Sequence, residues 1–401
     1  MKQGWTYKRL GDVCDVINGL WKGKKPPYVK VGVIRNANFT KSFTLRYDNI
    51  EYLDVEVRQY EKRKLQKGDL IVEKSGGSEK QPVGRAVLFE REDGEFSFSN
   101  FTSILRIKDK ESFNSKFLFY YLLFIYKRGD TLGMQKATTG IHNIEFEKYL
   151  DISVPVISLA EQERIVERLD AAFAQIDELK SNAERQLAEA RALFQSALTQ
   201  AMQPKPGWQE KTLGEIAIDM YRGSGIRRDQ ITKEGFPCVR YGEIYTTYNI
   251  SFEDCVSHTL ESSIASPKYF EHGDLLFAIT GESVEDIGKT IAYMGNEKCL
   301  LGGDIICMKH KQNPKFLSYA LSTTDAIKQK GFGKTKLKVV HTNAPSLKAI
   351  RIPLPPLFEQ QSIVEQLDSI STNISLLEEI NQKIKPDCDA MKQALLRQIF
   401  E

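Results

Sequence analysis

With 401 residues, 41% of them hydrophobic, the chain is long enough for two or three packed domains, and no apolar run approaches the roughly 20 residues that cross a bilayer. Its start, Met1-Lys2-Gln3-Gly4-Trp5, has no signal-peptide core, and Cys14, Cys238, Cys255, Cys299, Cys307 and Cys388 show neither CxxC pairing nor metal spacing, so reduced thiols in a cytoplasmic protein are expected. The net charge of +3 is unevenly placed: 27 basic against 20 acidic side chains over 1–157 and 20 against 17 over 203–355, but 5 against 8 over 158–202 and 4 against 8 over 356–401.

The first block reads as mixed α/β. Strands are expected at Leu70-Ile71-Val72, Ala86-Val87-Leu88-Phe89 and Ser103-Ile104-Leu105-Arg106-Ile107, followed by a helical run from Phe117 to Tyr126. Gly-, Ser- and Lys-rich turns lie between them. Lys22, Lys24 and Lys25 stand in one, Lys74, Ser75, Ser78 and Lys80 in a second, and Lys136, Thr138, Thr139 and His142 in a third. Such loops approach a phosphate backbone closely, with Lys neutralising charge while Ser, Thr and Asn read base edges.

At Ser158-Leu159-Ala160-Glu161 a capping box opens a long helix, the serine accepting from the first turn and Glu161 reaching back. The apolar positions Ile165, Leu169, Ile176, Leu179, Leu187 and Phe194 then step by threes and fours as in a coiled-coil seam, with a stutter around Ala183.

The second block repeats the first. Gly207-Trp208 and Leu213-Gly214 echo Gly4-Trp5 and Leu10-Gly11; His272-Gly273-Asp274-Leu275 echoes Lys67-Gly68-Asp69-Leu70; Gly288-Lys289 echoes Gly84-Arg85; Lys315-Phe316-Leu317 echoes Lys116-Phe117-Leu118. Its loops differ in sequence and are again basic and hydroxyl-rich: Arg222, Arg227 and Arg228, then Arg240 and Tyr241, then Thr280, Glu282 and Ser283, then Lys334, Lys336, Lys338, His341 and Asn343. The helix opening also returns, with Glu359-Gln360 and Ile363-Val364-Glu365-Gln366-Leu367-Asp368 matching Glu161-Gln162 and Ile165-Val166-Glu167-Arg168-Leu169-Asp170. Pro356 suits the first helical position, and the second seam runs through Ile363, Leu367, Ile374, Leu377, Ile384, Met391 and Leu395, with polar Asn381 inside it and Pro386 expected to kink or break the helix.

A repeat of so long a period means two equivalent domains, not a solenoid. The expected layout is 1–157, 158–202, 203–355 and 356–401: globule, helix, globule, helix. A helix of about 44 residues, ~65 Å long, overhangs a small globule, so the two seams are expected to pair with each other, antiparallel. Positive globules joined by negative rods direct the globules, not the rods, toward a polyanion.

Two motifs only resemble chemistry. Gly281 to Thr290 is two residues too long for a phosphate-binding loop, and its counterpart Gly84-Arg85-Ala86 lacks both lysine and hydroxyl. Lys25-Pro26-Pro27-Tyr28 has lysine where an adenine methyltransferase box has its base-holding asparagine. His142, His258, His272, His310 and His341 lack ligand spacing, and no catalytic constellation stands out.

A variable block ending in an apolar strand, then proline, Leu, Glu-Gln and Ile-Val-Glu-x-Leu-Asp on a long helix, all duplicated, resembles the specificity subunit of type I restriction–modification systems. Pro155, Leu159, Glu161-Gln162, Ile165 and Leu169 carry the resemblance in one copy, and Pro353, Pro355, Leu357, Glu359-Gln360, Ile363 and Leu367 in the other; Val156 and Ala160 depart from it. The resemblance implies an α+β chain of two target-recognition domains separated by two long helices. Each domain would read half of a split, asymmetric site in double-stranded DNA. The helices would fix the gap and dock two methyltransferase subunits, with two motor/nuclease subunits completing the assembly. S-adenosylmethionine, ATP and Mg²⁺ would belong to those partners and no cofactor to this chain. Two other readings stand beside it: a nucleotide- or S-adenosylmethionine-dependent DNA enzyme in its own right, and a coiled-coil adaptor that binds only protein.

Overall fold

The computed structural model describes residues 2, 4–21, 23–79, 81–138, 141–284, 286–332 and 340–401, and the strands and helices counted are those of these residues. The chain forms two compact units, one of Met1–Ala183 with Gln382–Glu401 and one of Glu184–Asn381.

In the first unit, strand Leu70–Glu73 is buried along its whole length, as an inner strand requires, with apolar Leu70-Ile71-Val72 followed by Glu73, whose charge is paired with Arg85 at 2.7 Å. It lies between Thr102–Ile107 and Ala86–Leu88 in an antiparallel sheet of order Cys14–Asn18, Thr102–Ile107, Leu70–Glu73, Ala86–Leu88. Helix Ser115–Arg128 packs beside it, capped by Asn114, whose side chain accepts from Lys116 and Phe117 N–H, and ended by Gly129 at φ +92°. Every residue from Phe117 to Ile125 is buried, so this helix is apolar all round because it is enclosed all round. A second sheet joins Glu51–Glu56, Tyr28–Ile34 and Phe96–Phe98, and Thr6–Arg9 pairs with Ser153–Val156, placing Tyr7 opposite Pro155.

The second unit uses the same plan. Its sheet runs Asp219–Arg222, Ile305–Lys309, Leu275–Ala278, Thr290–Tyr293 and adds Ser251–Phe252 at the edge, and Gln209–Thr212 pairs with Arg351–Leu354. Several repeated residues are framework. Gly68 and Gly273 turn at φ +92° and +87°, a conformation that disfavours side chains. The following carboxylates, Asp69 and Asp274, accept from the backbone N–H of Gln66 and Glu271, and each also pairs with a cation of the neighbouring strand, Arg106 at 2.7 Å and Lys309 at 3.1 Å.

The long helices are Leu159–Ala201 and Leu357–Phe400. Ser158 does accept from Glu161 N–H, but the Glu161 carboxylate is held by Arg164 at 2.8 Å instead of reaching back. Pro356 sits one residue before the second helix and accepts from Glu359 and Gln360 N–H. That helix passes through Pro386 without a break, so of the two outcomes expected from sequence, a kink or a break, the break does not occur. Burial of Cys388, Leu396, Ile399 and Phe400 beyond the proline offsets the loss of one helical hydrogen bond.

The two helices run antiparallel. In the first unit Cys388 lies against the Ile176 carbonyl, while Lys392 donates to Asp177 at 2.6 Å and covers the Phe173 ring; in the second, Arg191 donates twice to Glu378. Ile165, Leu169, Ile176, Ile363 and Leu367 are buried, and Leu187, Phe194, Ile374, Leu377, Ile384 and Leu395 are half-buried. The opening turns share their stripe between globule and partner helix: Ile165 and Leu169 lie in the first globule's core together with Leu396, Ile399 and Phe400, and Ile363 and Leu367 in the second's together with Leu198. One expectation is corrected. The seam shifts after Cys388, taking a step of four to Lys392 and then Leu396, which leaves Met391 49% exposed; Leu179 is likewise 51% exposed. With 3.6 residues per turn, a strict three-four alternation drifts off the contact line, and the residues that follow that line are the ones buried.

Candidate nucleic-acid interface

The duplicated motif proves to be a clamp. Gln162 is fully buried: its carbonyl oxygen accepts from Asn114 N–H at 2.9 Å, and its amide donates to the Ser112 and Ile157 carbonyls at 2.9 Å each. Gln360 repeats this with Asn313 N–H at 3.0 Å, the Gln312 side chain at 2.9 Å and the Pro355 carbonyl at 2.8 Å. Two turns on, Asp170 takes the Tyr120 hydroxyl and the Lys116 ammonium, and Asp368 takes those of Tyr319 and Lys315. Each long helix is thereby fixed to its globule, so loops on the globule have a defined orientation relative to the helix.

In the first unit the structure joins two of the three basic loops. Ser75–Gly77, Ile141–Ile144 and Gln135–Thr138 form one small antiparallel sheet. Ser75 donates to the Asn143 side chain at 2.5 Å, and His142 faces Gln135 at 3.3 Å. Lys74 lies beside Asn18 at 3.4 Å, and burial lowers its proton affinity below that of an ordinary lysine. Ser78 is exposed, and Lys136 reaches Glu145 at 3.0 Å from a side chain 71% exposed. Lys24 and Lys25 are exposed before strand Tyr28–Ile34, where Lys25 N–H meets Glu56; they belong to a different sheet from the hairpin. Lys22, Lys80 and Thr139 lie outside the described residues, and Thr138 is described by its backbone alone.

The second unit has a parallel construction at Thr280–Gly281, which pairs with Val340–His341 and sets the Thr280 hydroxyl 3.1 Å from His341. Glu282 is exposed nearby, and Ser283 is turned locally onto Asp286 at 2.7 Å. Asn343 caps the short helix Ala344–Lys348 by accepting from Ser346 N–H, so its carbonyl oxygen serves the fold. Arg222 is tied to Asp304 at 2.6 Å, and Arg240 to Glu243, a carboxylate that also accepts from Ser257. Arg228 and Tyr241 are exposed, and Arg227 is 75% exposed with Asp229 3.5 Å away. Lys334, Lys336 and Lys338 lie outside the described residues.

Sequence reasoning passed over Asn18, Asn36 and Phe101. Asn36 donates to the Ser75 carbonyl at 2.6 Å, and the Phe101 carbonyl accepts from Lys74 and Ser75 N–H, so all three support the first hairpin face. Nothing in their local sequence marks them, because the contacts are set by sheet pairing. Lys289, in the phosphate-loop-like stretch, donates to the Tyr248 carbonyl at 2.9 Å and is discharged more readily than usual because it is buried. Among the described residues no group of His, Cys, Asp and Glu could hold a metal ion, and no helix is long and apolar enough to cross a membrane.

The geometry agrees with comparison to known proteins. Residues 2–189 and 205–386 each match the family model described as the type I restriction modification DNA specificity domain. The type I restriction enzyme StySPI specificity subunit of Salmonella potsdam is 22% identical, over all of this chain and 89% of its own length, and the EcoKI specificity subunit of Escherichia coli K12 gives the same figures. Among solved structures, a chain from work on complex assembly and conformational transition of the type I R-M system aligns with a TM-score of 0.75 at 19% identity, covering 99% of this chain and 98% of that one. The HsdS subunit from Thermoanaerobacter tengcongensis aligns at 0.61 and 20%, covering 100% and 97%.

Proposed function

Since the chain belongs to the type I restriction–modification DNA specificity family, we infer that it is the non-catalytic, sequence-reading subunit of such a system. Each unit reads one half of a bipartite, asymmetric site in double-stranded DNA. The long helices set the gap between half-sites and dock two methyltransferase subunits, which methylate adenine, and through them two motor/nuclease subunits. S-adenosylmethionine, ATP and Mg²⁺ act in those partners, and the assembly works in the cytoplasm.

One observation carries this reading: a single framework is built twice, clamped to its helix by the same glutamine and aspartate, while the loops it presents differ. A duplicated scaffold with unlike loops is what reading two unlike sequences requires. The outward side chains Leu179, Leu193, Leu376 and Ile380, 45–70% exposed on the long helices, support docking of a protein partner there.

The test is selection from a duplex library by the wild-type chain and two variants. Lys74→Ala with Lys136→Ala should relax one half-site, and Arg227→Ala with Arg228→Ala the other, each leaving its opposite half intact. Equal loss at both halves from either variant would overturn the division of labour.

A further inference from the structure

The two units build one corner in the same way. Leu20 N–H donates to the Phe98 carbonyl and Ser99 N–H to that of Ile34; in the second unit Ser224 N–H donates to Leu301 and Gly302 N–H to Val239, all at 2.9 Å. A glycine sits at the centre of each corner. A side-chain carbon on Gly19 would lie 1.9 Å from the Ser99 carbonyl oxygen, and one on Gly223 would lie 2.2 Å from that of Gly302. Backbone therefore rests directly on backbone in both units.

Two positions of this corner differ. Trp21 and Phe101, two residues beyond Gly19 and Ser99, are 65% and 49% exposed. Along the matched hydrogen bonds, Gly225 and Asp304 stand at those positions of the second unit, where Asp304 is ion-paired with Arg222. The second unit closes the corner without either ring, so the fold does not require them. One exposed apolar side chain is commonplace, but two large rings kept on a single corner mark a contact surface.

The surroundings point to what covers them. The Phe101 carbonyl accepts from Lys74 and Ser75 N–H, and the Asn18 side chain accepts from the Lys74 ammonium at 3.4 Å, so the corner is continuous with the hairpin face. Lys24 and Lys25 follow Trp21 along the chain and are exposed. Cations beside apolar rings suit DNA, whose phosphates meet the lysines while its bases offer flat faces to a ring. A protein partner fits less well. Two rings bury at most about 500 Å², below the ~800 Å² that each side of a standard interface contributes.

We propose that Trp21 and Phe101 form a wedge that enters the base stack of the first half-site, unstacking and kinking one step. The proposal rests on the reading of that hairpin face as DNA-facing. The first unit then selects its half-site partly by how readily that step opens, which pyrimidine–purine steps do most easily, and not by contacts to base edges alone.

The experiment uses the full chain, without partner subunits, and its selected duplex. Each adenine of the first half-site is replaced in turn by aminopurine, which fluoresces more strongly when unstacked, and dyes on the duplex ends report a kink by energy transfer. One step should brighten several-fold on binding, and energy transfer should rise. Trp21→Ala and Phe101→Ala should each bind roughly tenfold more weakly, as loss of one stacked base does, and lose most of both signals, while Trp21→Phe retains them. Both side chains are exposed, so melting temperatures should be unchanged. If neither signal responds although the Lys74→Ala, Lys136→Ala variant still loses the first half-site, the face reads DNA and the rings stay outside the stack. If that variant keeps the half-site, the reading beneath the proposal fails with it. Undiminished DNA binding and signals in both alanine variants, with weaker capture of the purified methyltransferase subunit, would assign the corner to a protein contact and overturn the wedge.

Discussion

Gln162 and Gln360 make corresponding sets of three hydrogen bonds in two different units, each joining the first turn of a long helix to the loop that precedes a globule helix. Both side chains are sealed from solvent. In the most recognisable pair of the sequence, Glu-Gln, the glutamine is the clamp, while Glu161 accepts from Arg164 and Glu359 from the Trp208 indole N–H.

Replacing Gln360 by leucine strands the Asn313 N–H, the Gln312 amide and the Pro355 carbonyl together. A loss of about 2–4 kcal/mol is expected in urea unfolding of the whole chain. Gln361→Ala, on an exposed neighbour that accepts from the Asn313 side chain, should cost less than about 1 kcal/mol. Equal effects would deny the clamp.

The seam near Pro386 makes a second contrast. Leu396 is 2% exposed and Met391 49%. Leu396→Ala should lose about 2–5 kcal/mol and Met391→Ala within about 0.5 kcal/mol. A double-mutant cycle on Asp177 and Lys392, whose side chains are 61% and 20% exposed, should return less than about 1 kcal/mol. A larger loss at Met391 than at Leu396 would restore the alternation read from sequence.

Lys330 is buried, donating to the Thr290 hydroxyl and the Leu321 carbonyl, and burial brings its pKa from 10.5 down to about 7. Between those values the unfolded chain holds a proton that the native chain has released. Stability of the second unit should therefore rise with pH through that window, by at most about 1.4 kcal/mol per pH unit, and be lowest below it. Lys330→Met should flatten the rise in thermal melts taken from pH 7 to 9. An unchanged slope would locate the titration elsewhere.

The lysines at 334, 336 and 338 are proposed to contact phosphate. Changing all three to alanine should weaken binding and make the plot of log affinity against log salt shallower by roughly 0.9 for each contact removed. Unchanged affinity and slope would place this segment away from the DNA.

Four residues inserted at Ala183 add about 6 Å of helical rise. If the helices set the gap, the variant should select half-sites about one or two base pairs farther apart, at 3.4 Å per base pair, with both half-site sequences retained. Selection of the original gap at full affinity would show that something else fixes it.

Much of this was legible in the chain because a duplication prints its framework twice. Gly68 and Gly273, Asp69 and Asp274, and the Lys-Phe-Leu triplets recur because each holds a turn, an ion pair or a helix dock that both copies need. The loops were legible only as composition. That Ser75 meets Asn143, or that Asn36 supports Ser75, depends on sheet pairing between distant segments, which residue type does not encode. Asn343 shows the same limit, since its carbonyl oxygen caps a helix and asparagine caps helices as readily as it reads bases. Met391 misled because seam position is decided by local helix geometry, not by a fixed count.

The first unit is closed by residues 382–401: Leu396, Ile399 and Phe400 stand in its core, and Phe400 lies edge-on to Trp5. During synthesis its N-terminal part therefore emerges long before the segment that completes it, and must wait with an apolar face uncovered while the entire second unit is translated. The second unit, made of one uninterrupted stretch, can finish first. For this chain the unit whose synthesis begins first is the last to have all of its packing partners.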